Sequence, residues 1–217
     1  MSPSISTAEL IDRLVADGRP VRRLAPPWLR AIGWLILAVA IVAAVSYTLG
    51  FRLDLVAKLQ QRDFLLEWGA GLATGVAASF AAFHLSLPDR SARWLWLPAP
   101  TLVFWLLTIG YGCLTNWVAV GPGGITLGST FRCLANVALV STPLSLVMLR
   151  MLRHAGYIRP AATAALGALA IATLTASGLR LFHPLDATIL ILIWNVGLVA
   201  ALVYLGERAG RKLFRLS

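Results

Sequence analysis

Apolar runs recur along the whole of this chain. A run of about 20 such residues is what a helix needs to cross a hydrocarbon layer roughly 30 Å thick. Stretches such as "LILAVAIVAAV" are apolar all round and lack the every-other-residue alternation of a membrane barrel. They read as helices, whose backbone groups are satisfied within the segment where lipid offers no partner. Spans are predicted over 31–49, 64–85, 98–117, 131–149, 161–181 and 187–206. The chain is 59% hydrophobic and 13% charged, with mean hydropathy +0.79, against about 45–50% and about 25% in soluble domains. No soluble catalytic domain fits between the runs.

The expected fold is therefore all-α: a polytopic membrane protein with a bundle of six transmembrane helices and a short amphipathic helix before it. Residues 1–30 form a cytoplasmic segment, 31–206 the membrane domain and 207–217 a basic cytoplasmic tail. The first run has the small residues of a cleavable signal, "AVAIVAAVS". Polar and proline-rich residues precede it, and it is as long as a full span, so it is expected to remain as the first helix.

Basic residues set the orientation. With six spans the termini share a side, and that side carries Arg13, Arg19, Arg22, Arg23 and Arg30, then Arg90 and Arg93, then Arg150, Arg153 and Arg159, then Arg208, Arg211, Lys212 and Arg215. The other side carries Arg52, Lys58, Arg62, Arg132 and Arg180. Both termini are expected in the cytoplasm of a bacterium, in its inner membrane. The net charge of +10 is then explained by topology and anionic headgroups, without a nucleic-acid partner.

The amino-terminal segment reads "STAELIDRLVADGRPVRRLAPPWLRAIGW". Ser6 followed by Glu9 fits a capping box, and Leu10, Ile11, Leu14 and Val15 form an apolar stripe at helical spacing, stopped by Gly18 and Pro20. So short a helix is marginal alone and needs a surface: the bilayer, the protein's own inner face or a partner's groove. Pro20, Pro26 and Pro27 make "RPVRRLAPPW" a stiff, basic connector. Arg22 and Arg23 serve topology and could bind an acidic partner as well. Trp28 and Trp34 are expected as interface anchors.

The two cysteines, Cys113 and Cys133, bracket "LTNWVAVGPGGITLGSTFR", a connection whose one charged residue is Arg132. They fall at span ends on the outward side, where dithiols can be oxidised. A disulfide, a soft-metal site and inert packing are all open to them. His84, His154 and His183 do not cluster, and paired haem ligation is not expected. Glu67, near the outer end of its span, is expected to pair with Arg52 or Arg62. Asn116, Asn136, Asn195 and the Ser and Thr residues of the spans are expected to hydrogen-bond between helices. Gly71 and Gly75 permit close helix approach, in a compact bundle or at a homodimer face. Pro143 is expected to kink the fourth span.

Three stretches together, "PVRRLAPPWLRAIGW", "RDFLLEWGAGLATGVAASFAAFHLSLP" and the later "YGC" with "RC", resemble the NrsF-type proteins, negative regulators of sigma F. The resemblance runs over nearly the whole chain. It implies a six-helix inner-membrane anti-sigma factor whose cytoplasmic segment holds an extracytoplasmic-function sigma factor. It also implies that Cys113 and Cys133 sense oxidants or heavy metals, as a disulfide or a metal-thiolate pair, and that Leu10, Leu14, Pro20, Val21, Arg22, Arg23 and Leu24 lie in the sigma-contacting segment. No cofactor is implied. A small transporter or channel is the alternative, but charged groups at mid-membrane and a repeated half are not evident. A thiol oxidoreductase is a further one, for which a C-x-x-C pair is missing. No triad, H-E-x-x-H or phosphate loop suggests an enzyme.

Overall fold

A computed structural model of the chain describes residues 6–16, 24–115, 127–152 and 159–182, without the side chains of 14, 110–115 and 127–134. Among these residues the fold is entirely helical. Helix α1, Thr7–Ala16, begins where Ser6 Oγ accepts the Glu9 N–H at 3.2 Å. The Glu9 carboxylate turns forward to Arg13 at 3.0 Å, one turn on, so the second bond of a capping box is replaced by an i,i+4 ion pair. Leu10, Ile11 and Val15 are exposed along one side of α1.

Five of the described helices, or parts of them, are long and apolar enough to cross a membrane. They are α2, Pro27–Leu49; α4, Arg62–Leu85; the first part of α5, Ala99–Thr115, with the turn before it, over Ala92–Ile109; Ala135–Leu152 of α6, Leu127–Leu152; and α7, Pro160–Phe182. The short α3, Leu55–Leu59, precedes α4, and a 3-10 turn, Ala92–Trp96, precedes α5. The sixth predicted span, 187–206, lies outside the described residues. Both α2 and α7 start on a proline, which has no N–H to leave unpaired in a first turn and a φ already suited to a helix. Gly50, at φ +80, turns the chain away after α2. α6 runs uninterrupted past Pro143.

The connections make the helices alternate in direction, and two links between distant segments fix which ends lie together. Where α2 begins, Arg30 reaches the Met151 carbonyl at the end of α6; we call this the near end. At the far end, the Arg52 N–H bonds the Leu181 carbonyl at 3.1 Å.

α7 is the central helix. Of its spanning residues 78% are buried, against 44% for α4 and 17% for α2. Its small residues allow this, because lipid tails are as apolar as leucine and helices associate by close packing rather than by escape from water. A Cβ on Gly75 would lie 2.7 Å from Leu174 Cγ, and one on Gly71 2.9 Å from Ser177 Oγ. Gly71 and Gly75 thus serve the intramolecular α4–α7 seam. On another side of α7, Gly178 receives Val42 of α2. The main core joins Trp34, Phe83, Val140, Leu144, Met148, Ile171 and Leu179 from α2, α4, α6 and α7. A second cluster seats Trp105 and Ile109 of α5 against Ala70 and Ala176.

Several polar side chains behave otherwise than expected. Thr74 bonds the Ala70 carbonyl at 2.7 Å, Ser79 the Val76 carbonyl at 2.8 Å and Thr173 the Leu169 carbonyl at 2.8 Å, each within its own helix. A carbonyl three or four residues back lies within a hydroxyl's reach, and its second lone pair can accept there without the hydroxyl having to reach another helix. Trp34 is fully buried and donates Nε1–H to the Leu144 carbonyl at 3.3 Å, so it is a core residue and not an interface anchor. Trp28, half exposed, remains on the surface. Asn136 is half-buried, and Asn116 and Asn195 lie outside the described residues.

Candidate functional sites at the two ends of the bundle

The far end is organised by arginines. Arg180, in the last turn of α7, donates to the Glu67 carboxylate of α4, and its guanidinium lies over the Phe64 ring at 5.6 Å. The side chains of this pair are only 14% and 17% exposed. Glu67 was expected to meet Arg52 or Arg62, and the partner is Arg180 instead. Arg52 is engaged elsewhere, forked onto Asp54 at 2.6 and 2.8 Å. That fork, first through its hydrogen bond and then through charge, holds the Asp54 carboxyl below the usual carboxylate range. The contact therefore contributes above about pH 4 and is lost as acid protonates Asp54. Next to Glu67, Trp68 donates Nε1–H to the Ser177 carbonyl at 3.0 Å, a second tie between α4 and α7.

Cys113 falls in the last turn of α5 and Cys133 in the second turn of α6, which puts both backbones at the far end. Their side chains lie outside the described residues.

The near end adjoins the amino-terminal segment. Arg30, buried in the first turn of α2, donates to the Met151 carbonyl and lies over the Phe83 ring at 5.1 Å. It thereby supplies a cation and a donor to the C-terminus of α6, where carbonyls are left over and the helix dipole is negative. Its Nη1 has no hydrogen-bond partner among the described residues. One turn further along the same face of α2, the Trp34–Leu144 bond ties α2 to α6 again. Trp34→Phe removes the donor and also shrinks a fully buried side chain, so unfolding in detergent should show a loss of about 2–4 kcal/mol, the lost bond and the cavity together. His84 is buried, bonded through Nδ1 to the Phe80 carbonyl at 2.8 Å and stacked on Trp94 with centroids 3.9 Å apart.

Of the residues that the family resemblance implies for sigma contact, Leu10 and Leu24 are about half exposed. The backbone of Leu14 belongs to α1 but its side chain is outside the description, as are Pro20, Val21, Arg22 and Arg23 entirely. Among the described residues no group of three or more His, Cys, Asp and Glu could hold a metal.

Two residues that organise the ends were missed as partners. Arg180 stands two residues from the far end of α7 and Glu67 five from that of α4, a difference that a long arginine side chain spans, and this similar depth was the available signal. Arg30 lies one turn before Trp34 on a common helix face, a spacing that signals shared burial.

A family model described as the negative regulator of sigma F, NrsF, matches residues 14–216. The chain belongs to the NrsF family. The match takes in α2 to α7 and both cysteines, together with the end of α1 and the whole connector that precedes α2. As an NrsF protein this chain is a regulator and not an enzyme, with a sigma factor as its partner, and its apolar helices are those of a membrane protein. It is also similar to the probable peptidoglycan glycosyltransferase FtsW of Aromatoleum aromaticum (strain DSM 19018 / LMG 30748 / EbN1), 31% identical over 125 residues. That likeness covers 54% of this chain and 30% of the FtsW protein. No solved structure matches.

Proposed function

We propose that this NrsF protein is an inner-membrane anti-sigma factor that holds an extracytoplasmic-function sigma factor through its cytoplasmic amino-terminal segment. It releases that partner when Cys113 and Cys133, facing the periplasm, meet oxidants or heavy metals. The observation that carries this reading is the family match over residues 14–216. The distribution of basic residues supports a cytoplasmic near end, since most of the lysines and arginines cluster there.

In the proposed cycle, residues Leu10, Leu14, Pro20, Val21, Arg22, Arg23 and Leu24 grip the sigma factor by an apolar helix face followed by a basic connector. Oxidation of the two thiols to a disulfide, with the oxidant taking up two electrons, would draw the ends of α5 and α6 together. A soft cation bridging two thiolates would do the same mechanically. The helix that carries Cys133 ends against Arg30, at the base of the sigma-holding segment. A coupling of about 1–3 kcal/mol between the two ends changes affinity about 5- to 150-fold, which repacking of α6 against α2 can supply.

The test is to purify the tagged protein from unstressed native membranes in mild detergent and identify the cytoplasmic protein that accompanies it by mass spectrometry. A sigma factor is expected, lost on deleting residues 2–24 and lost from the Arg22→Ala, Arg23→Ala double variant. Oxidant or cadmium should release it from the parent but not from Cys113→Ser or Cys133→Ser. Normal release from the serine variants would sink the sensing role, and retention after the deletion would sink the docking role.

A further inference from the structure

At the near end the 3-10 turn Ala92–Trp96 is held in place on three sides. Ser91 Oγ accepts the Arg93 N–H at 3.3 Å, opening the turn. Trp94 stacks on His84 of α4, and it packs, as does Ala162 of α7, against a cluster that joins Leu85 of α4 and Leu166 of α7. The turn is thereby fixed beside the first turns of α7. Arg159, the residue before α7, reaches across and places Nη1 3.5 Å from the Arg90 carbonyl. Two connections far apart in sequence therefore bring Arg90 and Arg159 together at the surface, and Arg93, also exposed, follows three residues after Arg90. Among the described residues the ion pair seen on this patch is the loose one of Arg90 with Asp89, 3.6 Å apart.

We propose that Arg90, Arg93 and Arg159, with Trp96 beside them, form a binding site for the phosphate of an anionic phospholipid. Guanidinium groups gathered this way repel one another, and a phosphate with several acceptor oxygens relieves the repulsion through forked hydrogen bonds. The neighbouring side chains argue for lipid over an acidic protein surface. Leu95, Trp96 and Leu97 are exposed, Trp96 by 72%, at the start of a stretch, Ala92–Ile109, apolar enough to cross the membrane. At the start of a span such side chains suit the boundary of headgroup and hydrocarbon, the depth that tryptophan favours, and basic pockets between helices at this depth suit anionic headgroups. The site does not depend on what the amino-terminal segment holds.

Native mass spectrometry of the full-length protein, delipidated in detergent and offered equimolar dioleoyl phosphatidylglycerol and dioleoyl phosphatidylcholine, tests it. The parent should retain phosphatidylglycerol about tenfold over phosphatidylcholine. The Arg90→Gln, Arg93→Gln, Arg159→Gln variant should fall to within about twofold, and Arg62→Gln at the far end should behave as the parent. Arg93→Gln alone, at an exposed position, should lower the preference several-fold and serves if the triple variant does not fold. Equal retention of both lipids by the parent would overturn the proposal, as would a preference undiminished in the variants. Displacement of the lipid by millimolar inorganic phosphate would make the patch a free-anion site instead. Loss of a co-purifying protein with lipid selectivity unchanged would assign it to an acidic protein surface.

Discussion

Glu67→Gln should destabilise the protein by about 3 kcal/mol, measured as unfolding in detergent, because it leaves the Arg180 cation without its counter-charge in a largely buried position. Removing one member of a buried pair costs about 3–5 kcal/mol, and the low end applies because neither side chain is wholly out of solvent. The Phe64 ring offsets part of the loss through its face, and the guanidinium can partly reach the headgroup layer. Replacing both partners, Glu67→Gln with Arg180→Met, should cost less than either change alone, since an apolar side chain suits the site once no charge remains there. A single variant within about 0.5 kcal/mol of the parent would class the pair with exposed ion pairs, which contribute little. The comparison bears on mechanism, because this pair and the Trp68–Ser177 bond are the polar ties that hold α4 to α7 at the far end among the described residues.

Gly75→Leu should prevent the bundle from closing. A Cβ at this position would sit 2.7 and 2.8 Å from Leu174 Cγ and Cδ2 and 2.9 Å from Thr173 Oγ1, all in the α4–α7 seam. Gly75→Ala already requires those neighbours to give way, at about 1–3 kcal/mol. Leucine adds three more carbons where none fits, and the expected outcome is loss of a monodisperse folded species on size-exclusion chromatography in detergent. Gly33→Ala and Gly69→Ala are the controls, since a Cβ at either meets nothing within 4 Å. They should be neutral or stabilising by up to about 1 kcal/mol, because alanine loses less backbone freedom in a helix than glycine does. Equal tolerance at Gly75 and Gly33 would mean that the seam is looser than its distances imply.

Much of the architecture was legible because hydropathy is a sum over neighbours in sequence. The predicted runs 31–49, 64–85 and 161–181 became Pro27–Leu49, Arg62–Leu85 and Pro160–Phe182. Each helix extends past its apolar run into residues that suit an interface or a first turn, such as Pro27, Arg62 and Pro160. The family, too, was legible from local landmarks, namely the arginine connector and the two cysteines. Side-chain partners were not. Glu67 was assigned to arginines near it in sequence, and it meets one on a helix that arrives more than a hundred residues later. Trp34 and Trp28 look alike as tryptophans near a span start, yet one is buried against α6 and the other faces outward.

The amino-acid sequence by itself determined that this protein is a set of apolar helices of membrane-spanning length. It did so because lipid leaves a backbone no partner outside its own helix, so length and polarity act segment by segment. The tertiary structure decided that α7 is the buried centre of the described helices, that Gly71 and Gly75 serve a seam inside the chain, and that Arg30 bonds the Met151 carbonyl while Arg180 meets Glu67. Those outcomes depend on how each helix is rotated and how deep it sits, which close packing settles between helices and no single run of residues encodes.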